Sequence, residues 1–461
     1  MINYRQVREY HQKQSRKPPP SRGSQIVVMG FAFIILAGTC LLKLPFATEP
    51  GTNLSWLEAL FTATSATTVT GLSVVNVQNS YTTFGELVIL GLIQVGGVGF
   101  IIISVILFRL IGRRFTFFER DLMRQNLGIE TAEGVVKLTR TVFRVVISIE
   151  LVGAAIIFSQ WVKVMPWPDA LYFAIFHSIS AFCNAGFDLF TGLDDPILVY
   201  TTTNSTILMV LSTLITLGTL GLVVVYDLVV NWPRQGYVSL HTRLVFPLTM
   251  LLNILGTFFV MIDELYVAGH AMPNLTLFQH TMLAFFTIVS SRTAGVTLIP
   301  MDALGQTSQL IIFIWMFIGG APASMGGGIG LSTVSVVMVT LYANVLGYPD
   351  VRIFERTLPT ETILKAVAIM TVSTLLVATV TLLMMLFNQG TVFAVAFEVI
   401  SAFSNTGYSL GITSNFTTSG RLFLIFTMFW GRLGPLTLVV ALAQRRYQTL
   451  IKYPEEKIIL G

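Results

Sequence analysis

Long apolar segments make up most of the chain. They are uninterrupted over about 20 residues or more, which is the length of helix that crosses a hydrocarbon layer at about 1.5 Å per residue. The pattern predicts eight long helices, which we place at 24–44, 85–112, 138–162, 204–231, 243–266, 308–346 (interrupted), 361–387 and 420–443. The sequence therefore predicts an all-α polytopic membrane protein with eight transmembrane helices.

Four shorter semi-apolar segments lie between the long ones, at 55–67, 169–183, 276–291 and 392–404. Each is too short to cross the membrane and is followed at once by a polar stretch that contains glycine. Non-helical backbone at membrane depth survives only where it is buried in protein or lines water. We therefore interpret these segments as re-entrant half-helices that lead into buried loops.

The composition also indicates a bilayer environment. Hydrophobic residues make up 54% of the chain and charged residues only 11%, against about 25% charged in soluble domains. This excludes an ordinary soluble enzyme. In a soluble protein the net charge of +5 would raise the question of a nucleic acid partner, but the positions of the basic residues explain it differently.

Of the 28 basic residues, 23 lie before the first long helix, after the last one, or in alternate connections between helices. The positive-inside rule makes that face cytoplasmic, with both termini inside the cell and the protein in the plasma membrane. Topology and contact with anionic lipids then account for the positive charge, without nucleic acid. The other five are Lys43, Lys163, Arg292, Arg421 and Arg432.

Eleven acidic residues are expected on the outer side. They are Glu49, Glu58, Glu86, Asp169, Asp188, Asp194, Asp195, Asp263, Glu264, Asp302 and Glu398. An outer mouth rich in carboxylates would concentrate cations by focusing the electric field. Taken singly, each of these residues is equally explained as a solvated loop charge.

The four short segments end in similar sequences around a shared glycine. The glycines are Gly71, Gly186, Gly295 and Gly407, at intervals of 115, 109 and 112 residues. Each unit has a long helix, a half-helix with its loop, and a second long helix. Because every unit starts on the same side, the repeats are parallel and related by a pseudo-fourfold axis along the membrane normal. We place them at 24–112, 138–231, 243–346 and 361–443, between cytoplasmic tails at 1–23 and 444–461.

Four loops that converge on one axis suit a dehydrated monovalent cation. Their carbonyl oxygens can replace the hydration shell, glycine allows the backbone angles that turn carbonyls toward the axis, and the C-terminal dipoles of the half-helices favour positive charge. For one loop alone, a glycine helix cap is the simpler interpretation. The predicted ion-binding residues are Thr68, Val69, Thr70, Gly71, Asn184, Ala185, Gly186, Thr293, Ala294, Gly295, Asn405, Thr406 and Gly407.

The sixth apolar segment contains six glycines within 319–330. Each glycine costs about 1 kcal/mol in a helix and the proline about 3 kcal/mol, so we expect the helix to break near mid-membrane. A phosphate-binding loop is disfavoured because the stretch has no Lys and follows no strand. A kink that packs closely against a neighbour remains an alternative. The residues singled out are Gly319, Gly320, Ser324, Gly326, Gly327 and Gly328.

Two arginines fall at unusual depths. Arg432 is about twelve residues into the last long helix, too deep to reach either surface, and such a charge marks a functional site by default. A structural salt bridge, for example with Glu150, is the alternative. Arg292 comes three residues before Gly295, and the sequence leaves open whether it pairs with Glu398, pairs with another acid or faces outward.

These residues resemble the Trk/Ktr/HKT superfamily of potassium transporters over almost the full chain. The resemblance is carried by Thr68-Val69-Thr70-Gly71-Leu72, Asn184-Ala185-Gly186-Phe187, Thr293-Ala294-Gly295-Val296, Asn405-Thr406-Gly407-Tyr408 and the glycine-rich break. With eight spans and a short C-terminus, the chain is most similar to the Ktr-type membrane (B) subunit. Only the glycine is shared by all four loops, which implies fewer well-formed ion sites than in a channel filter.

The resemblance implies potassium uptake through a selectivity filter formed by the four loops, with potassium as substrate and no covalent cofactor. It implies that the glycine-rich break is a gating loop beneath the filter and that Arg432 is a positive barrier in the pore. It also implies a homodimer that docks a ring of cytosolic nucleotide-binding regulatory subunits. Whether sodium is an activator or a coupled ion stays open.

Two other functions are alternatives: a secondary transporter and a membrane enzyme. A cation-coupled secondary transporter with broader sodium and potassium selectivity would be expected to have inverted repeats, which the parallel units disfavour. A membrane enzyme would need a catalytic constellation, but the five histidines show no metal or acid–base spacing, and His177 is better explained as a satisfied helix residue. Cys40 and Cys183 are expected to be small core residues.

Overall fold

The computed structural model describes residues 21–99, 135–190, 196–236, 238–267, 275–322 and 324–434. The α-helices are α1 (Ser21–Leu42), α2 (Trp56–Thr67), α3 (Val77–Ser80), α4 (Thr83–Val98), α5 (Val135–Trp161), α6 (Trp167–Phe182), α7 (Pro196–Thr203), α8 (Ser205–Tyr226), α9 (Trp232–Gln235), α10 (Leu240–Ile262), α11 (Leu277–Ser291), α12 (Gln306–Ile318), α13 (Leu331–Val345), α14 (Thr360–Phe387), α15 (Val392–Ser404) and α16 (Thr418–Leu433). Strands β1 (Arg352–Ile353) and β2 (Arg356–Thr357) form an antiparallel hairpin.

Within the described ranges, four helical segments are long and apolar enough to cross a membrane. They are Thr141–Trp161, Ser205–Val229, Leu240–Leu265 and Thr360–Phe387. Shorter apolar helices lie in most of the other predicted spans, and the interrupted span at 308–346 is two helices, α12 and α13. The second half of the span predicted at 85–112, the end of the span predicted at 420–443 and most of both predicted tails lie outside the described residues.

The four short helices α2, α6, α11 and α15 begin and end within two residues of the predicted half-helices. Local sequence explains their starts. Ser55 and Glu58 form a capping box at α2, and Thr276 with Gln279 forms another at α11. Thr391 caps α15 through its side chain. The C-terminal halves are mostly buried, so each short helix enters the protein from its N-terminal end and stops in the interior.

The short helices lie at the centre of a closed arrangement. Each packs against the long helices next to it in sequence, and the main hydrophobic core surrounds all four. Each short helix also contacts the second long helix of another unit. For the second, third and fourth units this is the helix of the unit before, so that α4 packs on α6, α8 on α11 and α12 on α15. For the first unit it is the helix of the last unit, so that α16 packs on α2. The last contact joins the end of the described chain to its beginning and so completes a ring.

Glycines with positive φ interrupt the second long helix of each unit. Gly99 and Gly434 follow the last residues of α4 and α16, with φ of 93° and 81°. Gly221 kinks α8 with φ 83°. In the third unit the described residues between α12 and α13, 319–322 and 324–330, form no helix. The predicted break therefore lies at a place in its unit that corresponds to Gly99, Gly221 and Gly434.

Candidate functional site

Four central loops meet where the short helices end: loop 1 (68–72), loop 2 (183–187), loop 3 (292–296) and loop 4 (405–408). The shared glycines lie against one another in cyclic order. A Cβ added at any of them would clash with the carbonyl oxygen that precedes the glycine of the next loop. The contacts join Gly71 to Ala185 O, Gly186 to Ala294 O, Gly295 to Thr406 O, and Gly407 to Thr70 O. Glycine is therefore required by close approach as well as by its φ values of 67° to 96°.

The loop N–H groups bond back to the short helices. Thr70 N donates to Ser65 O at 2.8 Å, Ala185 N to Ser180 O at 2.8 Å, and Thr406 N to Ser401 O at 3.0 Å, which is the same bond in three repeats. In loop 3 the corresponding bond is one residue shorter, from Ala294 N to Ser290 O at 2.9 Å. Because the amide protons are satisfied by the helices, the loop backbone presents mainly oxygen atoms to its surroundings.

The carbonyl oxygens just before the shared glycines stay unpaired. Within the described part of the chain, no hydrogen-bond donor reaches the oxygens of Thr70, Ala185, Ala294 or Thr406, although all four residues are fully buried. A buried carbonyl without a partner is costly and uncommon. Four of them around one point form a set of ligands suited to a dehydrated cation.

The predicted asparagines act through their side chains as well as their backbones. The Asn184 amide lies 2.9 Å from the Thr293 hydroxyl, and in the orientation that satisfies all its atoms it donates to Ala181 O and Ile215 O. The Asn405 amide donates to Thr70 Oγ1 and to Met428 O, both at 2.9 Å. Each asparagine therefore ties its loop to the next loop and to the helix behind it. The sequence analysis did not foresee these contacts.

A cavity of about 270 Å³ opens beside the four glycines, and all four line it. Two acidic residues, Asp188 and Asp302, are also part of its wall. Of the eleven acids expected on the outer side, Glu86, Asp263, Glu264 and Glu398 are buried in the protein, so these four are not solvated loop charges. Asp194 and Asp195 lie outside the described residues.

The described residues of the glycine-rich segment (319–330), which are 319–322 and 324–330, are non-helical, as predicted, and lie against loops 3 and 4. Gly327 N donates to Ser404 O at 3.1 Å, while a Cβ at Gly326 would clash with Thr293. Two more bonds reach α8, from Ala321 N to Thr219 O and from Met325 N to Gly218 O. These contacts place the glycine-rich segment next to the central loops. The segment contacts α8 of the second unit, loop 3 of its own unit, and Ser404 at the end of α15 in the fourth unit.

Arg432 joins the glycine-rich segment to α4. Its guanidinium donates to Met325 O and to the carbonyls of Gly96 and Gly97. The alternative salt bridge with Glu150 is wrong: Glu150 instead accepts from Gln94 at 3.1 Å, and no described carboxylate pairs with Arg432. Three carbonyls thus hold the guanidinium near the end of α2, where Gly96 packs on Thr67 O.

Arg292 is fully buried, so it does not face outward. Its Nη2 donates to Gly319 O at 3.0 Å, at the end of α12. It does not pair with Glu398, whose oxygens accept from Ser409, Leu410 and Thr413. Of the two cysteines, Cys183 is buried as expected, but Cys40 is exposed, which contradicts its prediction as a core residue.

A further glycine pattern was missed by the sequence analysis. In α4, α8 and α16, a glycine three residues before the interruption packs on a carbonyl at the end of a short helix. The contacts are Gly96 with Thr67 O, Gly218 with Phe182 O, and Gly431 with Phe403 O. The spacing Gly-x-x-Gly recurs at 96–99, 218–221, 327–330 and 431–434, so a search for internal repeats could have found it.

Comparison with known proteins assigns the chain to a family. The family model described as "TrkH: Cation transport protein" matches residues 2–449. The chain belongs to the TrkH family. It is thus a multi-pass membrane transport protein and not an enzyme, and the resemblance to Trk and Ktr proteins is confirmed.

Curated relatives of this TrkH family member cover nearly its whole length. It is 35% identical to "Ktr system potassium uptake protein B" of Bacillus subtilis, over 95% of this chain and 96% of the relative. It is 32% identical to "Potassium/sodium uptake protein NtpJ" of Enterococcus hirae, over 95% and 97%. The crystal structure of the potassium transporter TrkH from Vibrio parahaemolyticus matches with a TM-score of 0.72 and 18% identity, covering 93% of this chain and 86% of that one. This last similarity shows the fold.

Proposed function

We propose that this chain is the ion-translocating subunit of a potassium uptake system and that the four central loops are its selectivity filter. The observation that carries the proposal is the group of buried, unpaired carbonyl oxygens before the four shared glycines. A ring of such oxygens replaces the hydration shell of a cation and offers nothing to an anion. The printed names of the relatives, which describe potassium uptake, support potassium as the substrate.

The architecture that goes with this function is four parallel repeats with eight spans around a central pore. The cyclic packing of the short helices and the closing contact of α16 on α2 support it. We place the cavity with Asp188 and Asp302 on the outer side and the glycine-rich segment on the cytoplasmic side of the filter. Both termini then lie in the cytoplasm, in agreement with the positions of the basic residues.

In this arrangement the glycine-rich segment is the gate. Its contacts with loops 3 and 4 support this role, because a segment beneath the filter would obstruct an ion path. Backbone hydrogen bonds to α8 and the Arg432 guanidinium hold it there. A segment held by a few polar contacts can move without unfolding a helix, which suits a gate.

Partners and coupled ions follow from the relatives by analogy. The name of one relative refers to a Ktr system, which supports the presence of regulatory subunits. We propose that the chain forms a homodimer and that a cytosolic ring of nucleotide-binding subunits docks on its basic face. The same face would contact anionic lipids. The relative named for potassium and sodium uptake favours a second candidate, a cation-coupled transporter with broader selectivity. In that second candidate, sodium would be an ion whose transport is coupled to that of potassium. In the first candidate, a channel-like protein, sodium would be an activator.

Rubidium uptake into proteoliposomes tests the proposal. Purified protein should take up rubidium, a potassium analogue, and external potassium should inhibit this uptake at far lower concentration than sodium. Equal inhibition by the two ions would favour the broader transporter. Absence of uptake, both alone and with a candidate regulatory subunit, would contradict the proposed function. Repeating the assay with and without a sodium gradient separates activation by sodium from coupling to it.

A further inference from the structure

Two buried side chains stand at the same position in two of the four repeats. His177 comes nine residues before Gly186, and Glu398 comes nine residues before Gly407. Both belong to short helices, α6 and α15, and their exposed fractions are 2% and 0%. Neither is among the residues predicted to bind the ion. Side chains as polar as these are rarely buried without a specific partner.

Both side chains bind the same backbone group of their loops. Leu189 N donates to His177 Nε2 at 3.2 Å, and Leu410 N donates to Glu398 Oε1 at 3.0 Å. Leu189 and Leu410 each lie three residues after the shared glycine. An imidazole and a carboxylate therefore perform one task at equivalent places: each accepts the N–H group of the second residue beyond a central loop, which we call the outer end of that loop.

Further contacts fix both acceptors. His177 Nδ1 lies 2.8 Å from Phe173 O, so Nδ1 carries the proton and Nε2 is free to accept, and the ring stacks on Phe190 at 4.7 Å. Glu398 also accepts from Ser409 Oγ at 2.6 Å and from Thr413 Oγ1 at 2.7 Å. Each outer loop end is therefore connected to a rigid, buried helix.

Loops 1 and 3 lack this support. The equivalent residues are Thr62, whose hydroxyl donates to Glu58 O within its own helix, and Phe286, which has no polar side-chain atom. The glycine contacts run from loop 1 to 2, 3, 4 and back to 1, so loops 2 and 4 face each other across the centre. The two loops whose outer ends bind His177 or Glu398 are therefore opposite, and the two loops without such a residue are also opposite.

We propose that His177 and Glu398 are positioning residues that hold the outer ends of two opposite filter loops and thereby set the preference for potassium over sodium. Sodium is the smaller ion, so the carbonyl oxygens must move inward to coordinate it fully. Loops whose outer ends are fixed resist that movement, whereas loops free to shift accommodate either ion. This inference rests on the proposed function, because it assumes that the four loops select the transported ion.

Three variants test the inference in the rubidium assay, with the ratio of the sodium to the potassium inhibition constant as the readout. His177→Phe gives loop 2 the residue that loop 3 has, and Glu398→Met removes the carboxylate at similar length. We expect the ratio to fall about tenfold in Glu398→Met, which loses a hydrogen bond to a charged group, and about threefold in His177→Phe. Glu398→Gln keeps an oxygen acceptor for Leu410 N and should retain most of the ratio.

Asp263→Leu is the matched control. Asp263 is also a buried carboxylate that accepts from a backbone N–H and a serine hydroxyl, both of Ser308, but it does so at the start of α12. Its loss should lower the midpoint of thermal unfolding and leave the ratio unchanged. If Glu398→Met does not fold, His177→Phe decides. Wild-type uptake with unchanged ratios in the variants that fold would overturn this inference alone, whereas lack of wild-type uptake would overturn the proposed function.

Discussion

Gly71 shows how strongly one residue is constrained at the centre of the molecule. Its φ is 87°, and a Cβ there would lie 2.7 Å from Ala185 O and 2.8 Å from Gly186 Cα. Any side chain must therefore push loops 1 and 2 apart. The sequence analysis explained this glycine by the backbone angles that it allows. The second reason, that loop 2 leaves no space for a side chain at this position, is visible only in the assembled structure.

Gly71→Ser should relax the preference for potassium over sodium. Displacement of loop 1 from loop 2 widens the ring of carbonyl oxygens, and we expect the selectivity ratio to fall by about tenfold, a change of about 1.4 kcal/mol in relative ion binding. The ratio is measured by competition with rubidium uptake. Gly91→Ser, in α4, is the control, because a Cβ at Gly91 meets nothing within 4 Å. Unchanged flux ratios in Gly71→Ser would contradict the assignment of the filter.

Arg432→Ala should raise potassium flux. The substitution removes the hydrogen bond to Met325 O, which holds the glycine-rich segment, and, under the proposed function, it also removes a positive charge from the ion path. Loss of one charge-assisted bond of about 1.5 kcal/mol would shift a closed segment toward open by about tenfold. Initial rubidium uptake per milligram of reconstituted protein is the measurement. The barrier role is wrong if both flux and selectivity stay at wild-type values.

At the scale of the element, deletion of part of the glycine-rich segment should speed ion uptake. Deletion of 324–328 removes the contacts of Gly326 with Thr293 and of Gly327 with Ser404 O, so the segment can no longer occupy the space beneath loops 3 and 4. We expect faster rubidium uptake at equal protein, with thermal unfolding measured in parallel to show that the fold survives. Slower uptake by a stably folded deletion variant would mean that the segment supports conduction and does not obstruct it.

The sequence predicted the elements better than it predicted their contacts. The half-helices were predicted to within two residues from the length of their apolar segments and from the glycine-containing stretches that follow. The capping boxes of Ser55 with Glu58 and of Thr276 with Gln279 mark two of the same starts locally. The predicted break at 319–330 followed from glycine and proline alone. Burial of Glu398 and Asp263 was not predictable, because a hydropathy pattern places an acid on one side of the membrane but does not reveal the hydroxyl and N–H groups that enclose it.

At the scale of the whole molecule, the ring closes through non-covalent contacts between the first and last repeats. Asn405 bonds to Thr70 in the interior, and Arg421 Nη1 pairs with Glu58 Oε1 at 3.4 Å nearer the surface. No sequence pattern connects residues so far apart. The repeat pattern nevertheless implied the closure, because four units around one axis must bring the last beside the first.

Arg421→Gln tests the closing ion pair. We expect the free energy of unfolding in detergent to fall by about 0.5 to 1 kcal/mol, the value of a partly exposed pair, with ion selectivity unchanged. Glu58→Gln should have a similar effect, and the double variant should lose little more than either single one, because both remove the same interaction. Fully additive losses in the double variant would show that the two residues stabilise the fold independently.

The alternation of side-chain support around the ring has a mechanical consequence. Buried side chains accept the backbone N–H three residues after Gly186 and Gly407, and the equivalent residues Thr62 and Phe286 do not do so after Gly71 and Gly295, so under the proposed function the ring of loops would be stiffer along one diagonal than along the other. A ring fixed at two opposite points keeps one diameter and yields along the other. Under thermal motion the opening would therefore become elliptical along the line that joins loops 1 and 3, and an ion that passes through would meet two rigid walls and two compliant ones.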